Sequence, residues 1–180
     1  MPTIISHTVV AVAAGKSFAP NDVPSHFWIL SIVCSIVPDA DVAGFYFGIP
    51  YGHFFGHRGF FHSPFFSLLL SLFIISVFFN NEAIFSKQWF FYFIFFFLLS
   101  ASHGILDAFT NGGLGIALLS PFDNSRYFFP LTPITVSPLG IRGWLSHRGM
   151  MVIISELLCV WLPSFLIVIF STLVRRTSTR

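Results

Sequence analysis

Histidines and aspartates at short spacings are the residues of this chain best suited to chemistry. His103 and Asp107 stand four positions apart, so on a helix they would lie on one face, about one turn apart. A histidine and a carboxylate in that arrangement can bind one metal ion, as paired ligands do in helical zinc motifs. A hydrogen-bonded polar pair between helices is the plainer alternative. Because ionisable groups inside apolar helices are unfavourable and usually functional, we favour the metal interpretation.

A second acidic pair directly follows an apolar run. Asp39 and Asp41 flank Ala40, and two carboxylates so close repel each other unless a cation or an arginine lies between them. In an extended turn, residues two positions apart point the same way, so both could reach one metal site. A helix-terminating turn with solvated carboxylates is the alternative.

Two further histidines lie in a glycine-rich segment. Gly59 permits a tight turn between His57 and His62, so their imidazoles could converge. Arg58 lies between them and could stabilise a phosphate or an anionic transition state. His7 is the only polar group of consequence on the first predicted helix. Taken alone, a single histidine of this kind is more often an ordinary buried side chain.

Together these residues form a candidate site for divalent metal ions. Histidine and aspartate are good ligands for zinc, and manganese is the alternative metal. A site with more than four such ligands suits two ions, and two-metal sites typically serve phosphoester hydrolysis. The seven candidate ligands are His7, Asp39, Asp41, His57, His62, His103 and Asp107.

The composition indicates what must position these residues. Apolar residues make up 55% of the 180 residues and charged residues only 9%, against roughly 25% charged in a soluble domain. We therefore expect one membrane-embedded domain over residues 1–180. No basic stripe of the kind that binds nucleic acid is present; only Arg175, Arg176 and Arg180 cluster, at the C-terminus.

The apolar pattern predicts an all-α, polytopic membrane bundle. Three firm transmembrane helices are expected at residues 64–79, 89–110 and 150–174, with shorter or re-entrant helices at 3–15 and 26–37. The connector over 111–149 is long enough to indicate a functional loop. The motifs all lie within residues 7–107.

The order of these helices predicts where the site forms. The span at 64–79 begins just after His57 and His62, and the next span ends at His103 and Asp107. Consecutive antiparallel spans would bring all four side chains to one membrane face. The positive-inside rule places Lys87 in the cytoplasm and the site outside, but other arginines on the site side leave the sidedness open.

The motifs, in their order along the chain, resemble those of the YdjM-type family of membrane-bound metal-dependent hydrolases. They are His7, Pro38-Asp39-Ala40-Asp41, Gly56-His57-Arg58-Gly59-x-x-His62-Ser63 and Ser102-His103-x-x-x-Asp107. The family includes a LexA-regulated bacterial inner-membrane protein. It is distantly similar to zinc phospholipase C and P1 nuclease, helical enzymes that bind three zinc ions.

The resemblance implies an inner-membrane hydrolase with one to three zinc ions held by the seven residues given above. The later ligand helix of the phospholipases has no clear counterpart, and Glu156 is the only carboxylate available there. Whether Glu156 or His147 joins the site stays open at this point. His26 and His53 are interpreted as interfacial or as neighbours of the ligands.

The leading functional prediction is hydrolysis of a phosphoester in a phospholipid or lipid-linked substrate by metal-activated water. Asp39 or Asp41 would be the general base or a bridging ligand, and Arg58 would stabilise developing negative charge. One alternative is a membrane transporter or metal-handling protein, because histidines and aspartates inside spans also mark ion pathways. Another is a membrane protein that uses metal only for folding.

Overall fold

Helices form almost all of the regular structure in the computed structural model, which describes residues 1–138 and 141–178. The α-helices are α1 (Ile4–Phe18), α2 (Ser25–Ile36), α3 (Pro64–Phe78), α4 (Lys87–Ala108), α5 (Ile141–Trp144), α6 (His147–Glu156) and α7 (Leu162–Ser178). Two 3-10 segments (Val37–Phe47 and Phe60–His62) and one π-helical segment (Leu157–Trp161) complete them. Within the described residues, β-pairing is limited to two isolated bridges.

Side-chain hydroxyls define where three of the helices begin. Thr3, Ser63 and Ser86 each accept a hydrogen bond from the backbone N–H three residues further on, at the starts of α1, α3 and α4. Such caps stabilise a helix by about 1 kcal/mol because they satisfy an N–H group without an intrahelical partner. Pro64 follows the second cap at the first helical position, where its missing N–H removes no hydrogen bond.

Among the described residues, three helical stretches are long and apolar enough to cross a membrane: Ser25–Phe47, Lys87–Ala108 and His147–Thr177. The predicted all-α bundle with three spans and shorter apolar helices is therefore confirmed. One span differs, however. The predicted span at 64–79 is the 15-residue α3, whose length of about 22 Å falls short of a hydrocarbon core of about 30 Å.

The first long span was predicted as a short helix over residues 26–37. In the structure the chain continues helically through Pro38 as a 3-10 segment that ends at Phe47. Proline is tolerated there because it occupies the first turn, and Gly48, with a left-handed φ of 73°, terminates the segment. Asp39 and Asp41 therefore lie in a 3-10 helix, and the predicted extended turn is wrong.

The core lies between α1, α2, α3 and α4. Phe27 of α2 packs against the aromatic rings of Phe95 and Phe96 of α4, and Ile75 of α3 is buried in the same cluster. The last span instead packs against α1 and leaves large apolar side chains such as Phe170 exposed. Those side chains are the surface that a bilayer would cover.

Candidate metal centre

Two histidines and two aspartates converge at the end of the bundle where α4 ends. Asp39, His62, His103 and Asp107 each offer a ligand atom, and these atoms all lie within 4.8 Å of one another. We call these four buried residues the ligand cluster. Asp39 comes from the 3-10 segment after α2, His62 from the short turn before α3, and the other two from adjacent turns of α4.

The spacing of the ligand atoms fits one small divalent cation. His62 Nε2 lies 3.2 Å from His103 Nε2, and Asp39 Oδ1 lies 3.3 Å from His103 Nε2 and 3.5 Å from His62 Nε2. Asp107 Oδ2 lies 3.5 Å from His62 Nε2. Ligand atoms at about 2.0–2.1 Å from a tetrahedral zinc are separated by roughly 3.3 Å. The cluster could therefore hold a metal ion with little rearrangement.

Buried carboxylate oxygens in the cluster point to the same conclusion. Among the described residues, neither oxygen of Asp39 and neither oxygen of Asp107 receives a hydrogen bond. Carboxylates buried without donors are strongly unfavourable unless a cation neutralises them. Arg58 Nε, 3.1 Å from Asp107 Oδ2, offsets part of this charge, and bound metal would satisfy the remaining oxygens.

Hydrogen bonding fixes which nitrogen of His103 faces the cluster. His103 Nδ1 lies 2.7 Å from the backbone carbonyl oxygen of Ser35. A carbonyl only accepts hydrogen bonds, so Nδ1 carries the proton and donates it, which leaves the lone pair of neutral His103 on Nε2. A backbone partner that orients a ligating imidazole in this way is a regular feature of metal sites.

The environment of His62 also favours a positive charge in the ligand cluster. Burial disfavours its protonated form, but the carboxylates of Asp107, Asp39 and Asp41 outweigh burial and hold the pKa of His62 well above its ordinary value. In the absence of metal, the aspartates thus draw a proton to the imidazole. A divalent cation would compete for the same place.

Asp41 lies beside the cluster and connects two histidines. Its Oδ1 is 2.7 Å from His57 Nδ1, and its Oδ2 accepts a hydrogen bond from the backbone N–H of Arg58 at 3.1 Å. The same Oδ2 lies 3.1 Å from His62 Nδ1. Asp41, His57 and His62 are also close enough together to hold an ion. The two oxygens of Asp41 thus orient the imidazoles of His57 and His62 and the backbone N–H of Arg58.

Arg58 is buried and fixes a ligand. Its Nε lies 3.1 Å from Asp107 Oδ2, and its two terminal nitrogens donate to the carbonyl of Gly112 and the hydroxyl of Thr110 at 2.6 and 2.8 Å. The backbone of Arg58 has a left-handed φ of 65°, a conformation that is uncommon for residues other than glycine. Arg58 therefore ties Asp107 to the loop that follows α4.

His7 borders the cluster from α1. Its ring stacks on that of His103, with centroids 3.8 Å apart and an interplanar angle of 16°. His7 Nε2 is buried without a hydrogen-bond partner among the described residues and lies 3.8 Å from Asp107 Oδ1. His7 Nε2 could therefore serve as a fifth ligand to a metal ion bound in the cluster.

Glu156 holds the start of α1 and is not in the cluster. Its carboxylate accepts three hydrogen bonds of 2.6 Å, from the backbone N–H and hydroxyl of Thr3 and from the hydroxyl of Ser6. Trp161 donates its indole N–H to Ser6 at 2.7 Å. Glu156 directly precedes the π-helical segment and Trp161 is its last residue. The i→i+5 hydrogen-bond pattern of this segment brings the two side chains, five positions apart, to the same side of the helix, facing α1.

A cavity of about 390 Å³ opens beside the cluster. Its wall includes His57 and Arg58 on the side of the cluster, with Tyr51 next to them and Arg148 of α6 beyond. His57 commits Nδ1 to Asp41, which leaves its Nε2 for a partner in the cavity.

Comparison with known proteins shows the family to which this chain belongs. The chain matches the YdjM inner membrane protein family over residues 1–178. This protein belongs to that family. It is 35% identical over 167 residues to the inner membrane protein YbcI of Escherichia coli strain K12, an alignment that covers 93% of this chain and 95% of the relative. No solved structure matches. Family, relative and spans together identify an inner-membrane protein.

The structure brings all seven ligand candidates of this YdjM-family protein into one buried region. Four form the ligand cluster, Asp41 and His57 adjoin it through His62, and His7 stacks on its edge. The remaining histidines lie outside: His26, His53 and His147 are exposed. Glu156, left open by the sequence, accepts hydrogen bonds from Thr3 and Ser6 at the start of α1.

Two contributors were missed by the sequence analysis. The carbonyl of Ser35 orients His103, and no sequence signal reveals a backbone acceptor. Gly104 lets α4 approach the His62 turn, because a Cβ there would lie 2.3 Å from the His62 carbonyl oxygen. A glycine directly after a candidate ligand in an apolar helix was a signal for such a close approach.

Proposed function

We propose that this protein is a membrane-embedded, metal-dependent hydrolase that cleaves a phosphoester in an amphiphilic substrate. The observation that carries the proposal is the ligand cluster, with ligand-atom separations of 3.2, 3.3, 3.5 and 3.5 Å, beside a cavity lined by His57 and Arg58. A purely structural metal site needs no adjoining cavity, whereas a hydrolase needs room for substrate and water.

Asp39, His62, His103 and Asp107 would hold the first ion, with His7 as an additional ligand. Zinc fits this donor set, and manganese is the alternative. When bound, such an ion lowers the pKa of a water ligand toward neutrality and polarises a phosphoryl oxygen.

His57 is the residue we assign to proton transfer. Its Nδ1 donates to Asp41, which fixes the tautomer and leaves Nε2 as the basic nitrogen at the cavity. The carboxylate of Asp41 would stabilise the imidazolium that forms when His57 accepts a proton. Asp41 thus supports the base, and Asp39, which lacks hydrogen bonds, is the better ligand.

Arg58 would act mainly by positioning. Its guanidinium holds Asp107 from one side and the Thr110 hydroxyl from the other. Its charge also lies at the wall of the cavity, where it would favour an anionic phosphoryl group.

The test is metal analysis joined to a substrate screen on the full chain in lipid nanodiscs. We expect close to one zinc or more per chain, and metal-dependent release of phosphate or alcohol from at least one simple or lipid phosphoester. Removing metal should abolish turnover, and adding zinc should restore it. His103→Ala and Asp107→Asn should lower bound metal and turnover together, by roughly 100-fold or more in turnover.

His26→Ala is the matched control, since His26 is exposed at the start of α2. It should keep both metal and activity. Absence of stoichiometric divalent metal in the purified protein would refute the proposal, as would turnover that survives Asp107→Asn. Saturable ion uptake into proteoliposomes without hydrolysis would instead favour transport.

A further inference from the structure

The cavity beside the ligand cluster has a charged rim that the metal site does not use. Arg148 contributes to its wall, yet makes no hydrogen bond or ion pair with the residues that the structure describes. Arg58 lines the same cavity and uses Nε and both terminal nitrogens in contacts with protein. Two of its five N–H groups remain, so the cavity presents two guanidinium groups with unused donors.

Part of the remaining wall is apolar. Val42 and Phe45 of the 3-10 segment and Val136 of the connector line the same space. The Tyr51 hydroxyl lies next to Gly113, where a Cβ would come within 2.6 Å of it, and both residues line the cavity. Arginines that face an apolar surface in one cavity fit a ligand with an anionic head and an apolar body.

The cavity lies near the ends of two spans, and this position favours a membrane lipid as the ligand. Arg148 is the second residue of the span His147–Thr177, and Asp107 is the last but one of the span Lys87–Ala108. Both spans therefore end at the level of the cavity, where the phosphate groups of a surrounding bilayer would lie. The grooves of about 450–480 Å³ elsewhere are lined almost wholly by apolar residues, each with a single lysine.

We propose that this cavity is the headgroup site for an anionic phospholipid or another lipid phosphate. Arg148 binds the phosphate, Arg58 adds positive charge from the cavity wall, and the apolar side chains of the wall contact the lipid body. The cavity then delivers the phosphoester to the ligand cluster. The turnover part of this assignment rests on the proposed function, whereas lipid binding does not.

Binding is measured on metal-depleted full-length protein in detergent, so that hydrolysis plays no part. Dioctanoyl phosphatidic acid is the probe. Dioctanoylglycerol lacks the phosphate, and glycerol 3-phosphate and inorganic phosphate lack the chains. We expect phosphatidic acid to bind at least about 10-fold more tightly than each of the other three. Arg148→Ala should weaken its binding by about 10- to 100-fold, as for loss of a charge-assisted hydrogen bond.

Arg142→Ala is the matched control, because Arg142 is an exposed arginine of the same region that does not line the cavity. Arg148→Lys keeps charge without the planar fork and should fall between wild type and Arg148→Ala. Equal affinity of wild type and Arg148→Ala for phosphatidic acid overturns the assignment. So does inorganic phosphate binding as tightly as the lipid, which would identify a free-phosphate site.

These outcomes separate the two proposals. Arg148-dependent lipid binding without any metal-dependent hydrolysis leaves the headgroup site standing and removes the hydrolase. Hydrolysis of lipid phosphates whose KM does not change in Arg148→Ala removes the headgroup site and leaves the hydrolase.

Discussion

Gly104 offers the sharpest test of the cluster geometry. It follows the ligand His103 on α4, and a Cβ at position 104 would lie 2.3 Å from the carbonyl oxygen of His62. Real Cβ atoms hardly ever come closer than 3.0 Å to such a neighbour, so Gly104→Ala must separate α4 from the His62 turn by at least about 0.7 Å. That neighbour is backbone, which cannot rotate away as a long side chain would.

Two effects of this substitution have opposite signs. Alanine is favoured over glycine in a helix by about 1 kcal/mol, so α4 alone predicts a more stable protein. The separation, however, would pull apart the Nε2 atoms of His62 and His103, now 3.2 Å from each other. Disturbing the support of metal ligands typically weakens metal binding by about 10- to 100-fold. We expect a loss in that range, equal to roughly 1.4–2.8 kcal/mol of binding free energy.

The assay is a zinc titration of the metal-depleted protein against a competing fluorescent chelator, with thermal unfolding recorded in parallel. Gly52→Ala is the control, since no heavy atom lies within 4 Å of a Cβ there. It should bind zinc like the wild type. If Gly104→Ala also binds zinc with wild-type affinity, the close approach of α4 to the His62 turn is not what sets the ligand spacing.

Three further predictions concern the residues around the cluster. Glu156→Gln should lower the unfolding temperature by roughly 10 °C, since an amide cannot accept all three hydrogen bonds and each bond to a charged group contributes about 1.5–3 kcal/mol; an unchanged unfolding temperature would contradict this. Asp41→Asn should weaken zinc binding by about 10- to 100-fold. Asp123→Asn, at a half-buried loop position that is not among the clustered residues, should leave it unchanged. Because the pKa of His62 is raised in the folded protein, its proton stabilises metal-free protein below the unfolded pKa of about 6.5, and this stability is lost as pH rises through the folded pKa. Without zinc, the unfolding temperature should therefore fall as pH rises, and His62→Gln should abolish this trend. With zinc bound, the unfolding temperature should instead rise with pH.

The sequence predicts the membrane class and the set of residues near the cluster well, for identifiable reasons. Charged residues are so rare in this chain that each buried histidine or aspartate is conspicuous. The four-residue spacing of His103 and Asp107 survives in the structure because α4 stays regular through both positions. The antiparallel order of α3 and α4 then brings His62 to the same end.

Other features depend on contacts that local patterns do not encode. Glu156 looks like a candidate ligand because it is a lone carboxylate in an apolar helix, yet its partners, Thr3 and Ser6, lie some 150 positions earlier in the chain. The span beginning at Ser25 was predicted too short because Pro38 normally ends a helix. Its continuation depends on a change from α to 3-10 geometry at that proline.

That change of geometry also separates the roles of the two aspartates. In an extended strand, Asp39 and Asp41 would point the same way, but at three residues per turn their directions differ by about 240°. Asp39 accordingly reaches His62 and His103 in the cluster, while Asp41 reaches His57 and the backbone of Arg58. In the proposed hydrolase, one short acidic motif would thus supply a metal ligand on one side and the partner of a proton-transferring histidine on the other. The 3-10 segment, more than the motif itself, directs the two carboxylates to these different partners.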